Sequence, residues 1–205
     1  MIVIIDTGVA NLYSVKNALD HLGVENSISS DPEILAKADK LIFPGVGAFS
    51  AGMKSITEKG LVSPLNELIL EDKKPILGIC LGFQMFAESS SEQGRHKGLG
   101  WIPGEIKHLS NITDEKIPHI GFNDITYNNN SKLFTNIKQS SDFYFVHSFY
   151  LDTDPSYVSA SVTYVQPFAV AIEYKNIMGV QFHPEKSKNT GLILLNNFCS
   201  RRFDA

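Results

Sequence analysis

The chain has 205 residues, a length that suits one domain with a real core better than two. Its composition, 43% hydrophobic and 20% charged with 15 Gly and 9 Pro, excludes disordered, collagen-like and coiled-coil chains. The formal charge of −4 lacks the basic footprint of a nucleic-acid binder, and no apolar run approaches the ~20 residues needed to cross a bilayer.

In chain order, Ile2–Ile5 is a β-branched apolar run closed by Asp6-Thr7-Gly8, the signature of a strand buried on both faces. This start has no basic region or cleavage site, which argues against a signal peptide. Leu12, Val15, Ala18, Leu19 and Leu22 then keep helical spacing, with Asn11 as N-cap and Gly23 as C-cap, before a strand near Val24–Ile28. Strand, helix and strand in this order are βαβ grammar. Leu41-Ile42-Phe43 runs into the turn Pro44-Gly45-Val46-Gly47, and Pro75–Ile79 runs into Cys80-Leu81-Gly82 and an apolar helix over Phe83–Ala87. Ser89–Gly100 reads as a surface loop. Ile125–Tyr127, Phe143–Tyr150, Val158–Tyr164, Ala169–Tyr174 and Ile177–Phe182 read as strands separated by turns, and a helix over Thr190–Phe198 ends the chain, with Leu192, Leu195 and Cys199 on one face. The expected fold is α/β, a mostly parallel sheet flanked by helices with an added antiparallel section, in a single domain over residues 1–205.

Gly78-Ile79-Cys80-Leu81-Gly82 has the form in which a strand turns sharply into a helix and exposes the central side chain. Glycines flank the cysteine because a Cβ at either place would meet the neighbouring strand or helix. The positive end of the following helix favours a thiolate. A lone cysteine usually reads as a small core hydrophobe, and Cys199 is read that way; within its elbow, Cys80 reads as a nucleophile. Two cysteines are too few for a disulfide scaffold and fit a reducing, cytoplasmic setting.

A nucleophile needs a base, and the base needs an orienting group. His183-Pro184-Glu185 offers both, since proline sets the backbone so that positions 183 and 185 tend to point to one side. Alone, this tripeptide reads more readily as a surface turn with a solvated glutamate. The glycine turn at 45–47 can present backbone N–H groups to a developing oxyanion, with Leu81 N–H as the second donor.

Together, PGVG, GICLG and FHPEK in this order resemble the class I glutamine amidotransferases, from one end of the chain to the other. Within that class the runs IDTGVANLYSVKNAL, GICLGFQMF, KIPHIGFN, YFVHSFY and FHPEKS look most like the glutaminase subunits of imidazole glycerol phosphate synthases. The resemblance implies that Cys80 attacks the side-chain amide of L-glutamine, His183 is base and acid, and Glu185 orients it. It also implies an oxyanion hole from Gly47 and Leu81, and glutamine held by Gln84 and the backbone of His147, Ser148 and Phe149. Ammonia would pass to a (β/α)8-barrel cyclase partner in a heterodimer, with Asn11, Pro118, His119, Phe122, Asn123 and Lys186 near the interface. No cofactor or metal, no nucleic acid and no membrane is implied. Phe122 stands where a tryptophan is usual in the family, which leaves open a related partner that amidates sugars for surface polysaccharides. A stand-alone cysteine hydrolase of γ-glutamyl amides and a non-catalytic binding subunit are the other readings.

Overall fold

Strand β1 (Ile2–Ile5) is buried along its whole length, and its side chains alternate between two apolar cores: Ile2 and Ile4 join one, Val3 and Ile5 the other. The computed structural model describes residues 1–8, 10–164 and 166–203. Helix α1 (Leu12–His21) starts where the Asn11 side chain accepts from Ser14 N–H, and Gly23, at φ +68, follows its end. Then come β2 (Asn26–Ser29), α2 (Pro32–Lys37), β3 (Lys40–Gly45), α3 (Phe49–Glu58), α4 (Val62–Asn66) and β4 (Ile76–Cys80). Strand β2 begins two residues later than the sequence suggests.

A short helix, α5 (Leu81–Gln84), leads into β5 (Ala87–Ser90), β6 (His96–Lys97) and β7 (Ile102–His108). The expected helix over Phe83–Ala87 and the expected surface loop over Ser89–Gly100 are both corrected here. The carbonyls of Met85, Phe86 and Ala87 accept from the N–H groups of Leu99, Trp101 and Gly100, so this apolar stretch is tied laterally and does not continue as a helix. Ser90 is fully buried, and β5 pairs with both β6 and β7.

Strands β8 (His119–Tyr127), β9 (Asp142–His147), β10 (Phe149–Asp152), β11 (Val158–Tyr164) and β12 (Gln166–Tyr174) form the antiparallel section; β13 (Ile177–Val180), which the sequence groups with them, instead pairs parallel with β4, and α6 (Lys188–Ser200) closes the described chain. The expected strand Phe143–Tyr150 is two strands broken at Ser148. On α6 the buried face centres on Leu194, Leu195 and Phe198, with Leu192 and Cys199 at its edge.

Strands β2, β1, β3, β4 and β13 lie side by side, all parallel, and β12 joins antiparallel at β13. Side chains of α1 and α6 fill the core on one face of this sheet; those of α2, α3 and α4 fill the other. The expected α/β fold with an added antiparallel section is what the chain adopts. The arrangement sets the carboxyl ends of β3, β4 and β13 next to each other, the edge where open α/β sheets bind ligands.

Candidate active site

Each of those three strand ends delivers one of the motifs. Gly45 at the end of β3 is the register partner of Cys80 at the end of β4, while His183 follows β13 by three residues. Cys80 sits at φ +54 and ψ −112, a strained conformation for a residue with a Cβ. Close packing on either side fixes the elbow. A Cβ on Gly78 would lie 2.7 Å from Phe83 Cα, and one on Gly82 would lie 1.7 Å from the Phe43 carbonyl oxygen. Neither site has room for any other residue.

His183 and Glu185 meet through a 3₁₀ turn at Pro184–Lys186. His183 Nδ1 donates to Glu185 Oε1 at 2.7 Å, and both side chains are almost fully buried. His183 Nε2 makes no well-formed hydrogen bond. Burial works against the charged ring, but the nearby Cys80 sulfur and the Glu185 carboxylate outweigh it and push His183 up to about 9. The pair is therefore arranged to keep an imidazolium beside a sulfur nucleophile.

Cys80, Leu81, Gly47, Gln84, His147, Ser148, Phe149 and His183 all line one cleft of about 360 Å³. Gly47 is exposed at its mouth with φ +94. Gln84 Nε2 donates to Gln181 Oε1 at 2.9 Å and to the Phe149 carbonyl at 3.4 Å. Glu185 stands behind His183, outside the lining. A larger hollow of about 450 Å³ between β10, β11 and β12 carries neither cysteine nor histidine.

Two polar side chains at this site escape a reading of the sequence. Gln181 is fully buried, and its Nε2 lies 3.8 Å from Cys80 Sγ. Its signal was present, because in extended backbone it shares a side with His183 two residues on. Glu92 lines the cleft, and its Oε2 accepts from Phe49 N–H at 2.7 Å, capping α3, whose own N-cap Ala48 has no acceptor. No local pattern marks Glu92, since only the fold of residues 89–100 carries it there.

The residues expected near a partner divide. Pro118 is exposed and lines the cleft; Phe122, Asn11 and Lys186 are exposed, and Asn123 is half-buried. Phe122 packs edge-on to Tyr144, with the ammonium groups of Lys188 over the first ring and Lys186 over the second. His119 is only 3% exposed and turns inward, stacking on Phe145 and Tyr164 at 4.6 and 4.5 Å. In this conformation its ring is not presented to a partner, because β8 alternates its side chains and His119 takes the inward position. Cys199 lies on the other side of the sheet from the cleft's elbow helix, and burial pushes its thiol up to about 11, as a structural cysteine requires.

The histidines give opposite pH dependences. His183 is raised from 6.5 to about 9, so its contribution to stability is complete below pH 6.5 and is lost as the pH rises through 9. Burial lowers His119 to about 4 and His147 to about 3, so their contribution is complete above pH 6.5 and is lost as the pH falls through those values. Melting temperature plotted against pH should therefore decline on both sides. The decline between pH 6.5 and 9 should flatten in His183→Ala; an unchanged alkaline limb in that variant would contradict the assignment.

Comparison with known proteins agrees with this geometry. The family model described as "Glutamine amidotransferase class-I" matches residues 3–201. The chain is 46% identical over 198 residues to imidazole glycerol phosphate synthase subunit HisH 1 of Campylobacter jejuni, covering 97% of this chain and 98% of that one. It is 43% identical over 199 residues to subunit HisH 2 of Methanococcus maripaludis, with the same coverage. Among solved structures, one titled as a glutamine amidotransferase superposes with a TM-score of 0.75 over 96% of this chain and 98% of that one, at 18% identity, a likeness of fold. No helix among the described residues is long and apolar enough to cross a membrane. A match of this extent, on a chain that joins a cysteine elbow to a buried His–Glu pair, places it in the class I glutamine amidotransferase family.

Proposed function

We propose that the chain is the glutaminase subunit of an imidazole glycerol phosphate synthase, hydrolysing glutamine to glutamate and passing ammonia to a cyclase subunit in histidine biosynthesis. The observation that carries the chemistry is the Cys80 elbow facing a buried His183 that is tied to Glu185 at 2.7 Å. The near full-length similarity to HisH subunits carries the pathway.

In this mechanism Cys80 Sγ attacks the side-chain carbonyl carbon of glutamine, and the oxygen takes up charge between the N–H groups of Leu81 and Gly47. The His183 imidazolium gives its Nε2 proton to the departing nitrogen, and ammonia leaves a thioester on Cys80. His183 then takes a proton from a water that attacks the thioester, which releases glutamate and restores the thiolate. Glu185 holds the ring through Nδ1 and stabilises its charged form. Gln84 and the backbone of Ser148 and Phe149 border the space for the substrate.

Glutamine also brings an α-ammonium group, and among the described residues Glu92 is the one carboxylate lining the cleft. We assign it to that group. Glu92→Gln should raise KM for glutamine about tenfold or more while iodoacetamide alkylates Cys80 at the wild-type rate. The amide still offers an oxygen to Phe49 N–H, so the cap on α3 is kept. An unchanged KM would remove the assignment.

The partner face is the outer side of the β8–β9 hairpin. Ile120, Phe122 and Val146 are 59%, 47% and 37% exposed there, with Lys186 and Lys188 at the edge. A (β/α)8-barrel cyclase with acidic groups around an apolar patch fits this surface. The test of the reaction is labelling by a thiol-reactive diazoketone analogue of glutamine. Modification of Cys80, prevented by glutamine, supports the glutaminase; modification of Cys199 instead would overturn it.

A further inference from the structure

The proposed cysteine chemistry uses neither ring of a histidine pair buried beside the cleft. His119 on β8 and His147 on β9 are direct cross-strand partners, 3% and 6% exposed. His119 Nδ1 and His147 Nε2 are 3.0 Å apart. At one end, His147 Nδ1 lies 2.8 Å from the Phe149 carbonyl. At the other, Asn123 Nδ2 lies 3.3 Å from His119 Nε2.

The proton arrangement follows independently from each end. The Phe149 carbonyl can only accept, so His147 carries its proton on Nδ1 and, neutral, has a bare Nε2; His119 must then donate from Nδ1. From the far side, Asn123 Oδ1 accepts from Asp124 N–H at 2.9 Å, which leaves Nδ2 to donate, so His119 Nε2 must be bare. Both routes give the same tautomer for both rings. Adding a proton to either would set two donors against each other. The groups around His119 are the rings of Phe145, Tyr164, Phe168 and His147, with no charge among them, and burial holds both histidines well below neutrality, at about 4 and about 3.

The chain of bonds continues past Phe149. Its carbonyl also takes the bond from Gln84 Nε2, Gln84 binds Gln181, and Gln181 Nε2 faces Cys80 Sγ at 3.8 Å. Donors from two directions thus meet at the Phe149 carbonyl: one series runs to it from Asn123, next to exposed Phe122 on the hairpin, and Gln84, which also donates to it, leads through Gln181 to the nucleophile.

We propose that His119 and His147 are positioning residues for the glutamine cleft: a tautomer-locked pair that fixes the Phe149 carbonyl, and through it Gln84, relative to the β8–β9 hairpin. This rests on the glutaminase reading for its substrate, though not for its proton arrangement. Fixing the carbonyl orients the Gln84 amide with its nitrogen turned to Phe149 and Gln181 and its oxygen left as an acceptor for the substrate.

The test uses the whole chain. In His119→Phe the ring still stacks on Phe145 and Tyr164 but donates nothing to His147; in His119→Asn an amide nitrogen stands near the former Nδ1. The affinity of the diazoketone glutamine analogue should fall about fivefold to tenfold in His119→Phe and recover most of that in His119→Asn, with iodoacetamide alkylation of Cys80 unchanged throughout. ¹⁵N NMR of the unaltered protein at neutral pH should show both rings protonated on Nδ1 and bare on Nε2. Wild-type affinity in His119→Phe, equal losses in both variants, or a proton on His147 Nε2 would overturn the proposal. If the analogue fails to label the wild-type protein, the glutaminase reading falls, and the NMR result still decides the pair.

Discussion

Cys80→Ala should abolish glutamine hydrolysis, by about 10⁴-fold or more, because no other group at the site can form the thioester. The structure gives reason to expect that the variant folds. Cys80 already holds φ +54 with a Cβ, so alanine adds no backbone strain, and only a sulfur at the edge of a cleft is lost. Synthesis by the partner from free ammonia should survive, since ammonia is then supplied from solution. Assays of glutamate release and of ammonia-dependent synthesis on the same preparation separate the two. Loss of both activities in a folded variant would contradict a division of labour between subunits.

Gly82→Ala should be among the most damaging single changes to stability. Its new Cβ would lie 1.7 Å from the Phe43 carbonyl oxygen and 2.8 Å from the carbonyl carbon, both backbone atoms of the central strand β3. A flexible side chain could swing away from such a clash, but strand backbone bonded on both sides cannot. A loss of about 4 kcal/mol or more corresponds to a fall in melting temperature of roughly 8–16 °C for a chain of this size. Gly23→Ala is the contrast: it puts a Cβ at φ +68 with nothing within 4 Å, so only backbone strain of about 1 kcal/mol applies, whereas Gly82 lies in α5 and meets the contact alone. A loss in Gly82→Ala no larger than that in Gly23→Ala would contradict the contact as the cause.

The parts of the fold that could be read from the sequence are those with strong local causes. Ile2–Ile5 is apolar at every position because both faces of β1 are covered, and the glycines at 78 and 82 announce the close approach of Phe83 and Phe43 that leaves no room for a Cβ. The order of the motifs was legible too, because each follows an apolar run that ends at the same edge of the sheet. Residues 83–87 misled because a short, mostly apolar stretch looks the same in a buried helix turn and in a strand held by lateral bonds. Glu92 was invisible because its place depends on how β5 and β6 pair. The His119–His147 pair, 28 residues apart, depends on hairpin register, which alternation alone does not set. Lys186 and Lys188 stack on Tyr144 and Phe122 only once the turn after His183 is brought against β9 and β8.

The central claim, a glutaminase that serves a cyclase, is tested most directly by glutamate release from glutamine. It should be measured with the purified chain alone and with a histidine-pathway cyclase subunit and its nucleotide substrate. The account predicts hydrolysis that depends on Cys80 and rises strongly when the partner and nucleotide are added. Release that the cyclase leaves unchanged, with Cys80 still labelled by the glutamine analogue, would contradict the partner and point to a sugar-amidating one. No release under any condition would contradict the glutaminase itself.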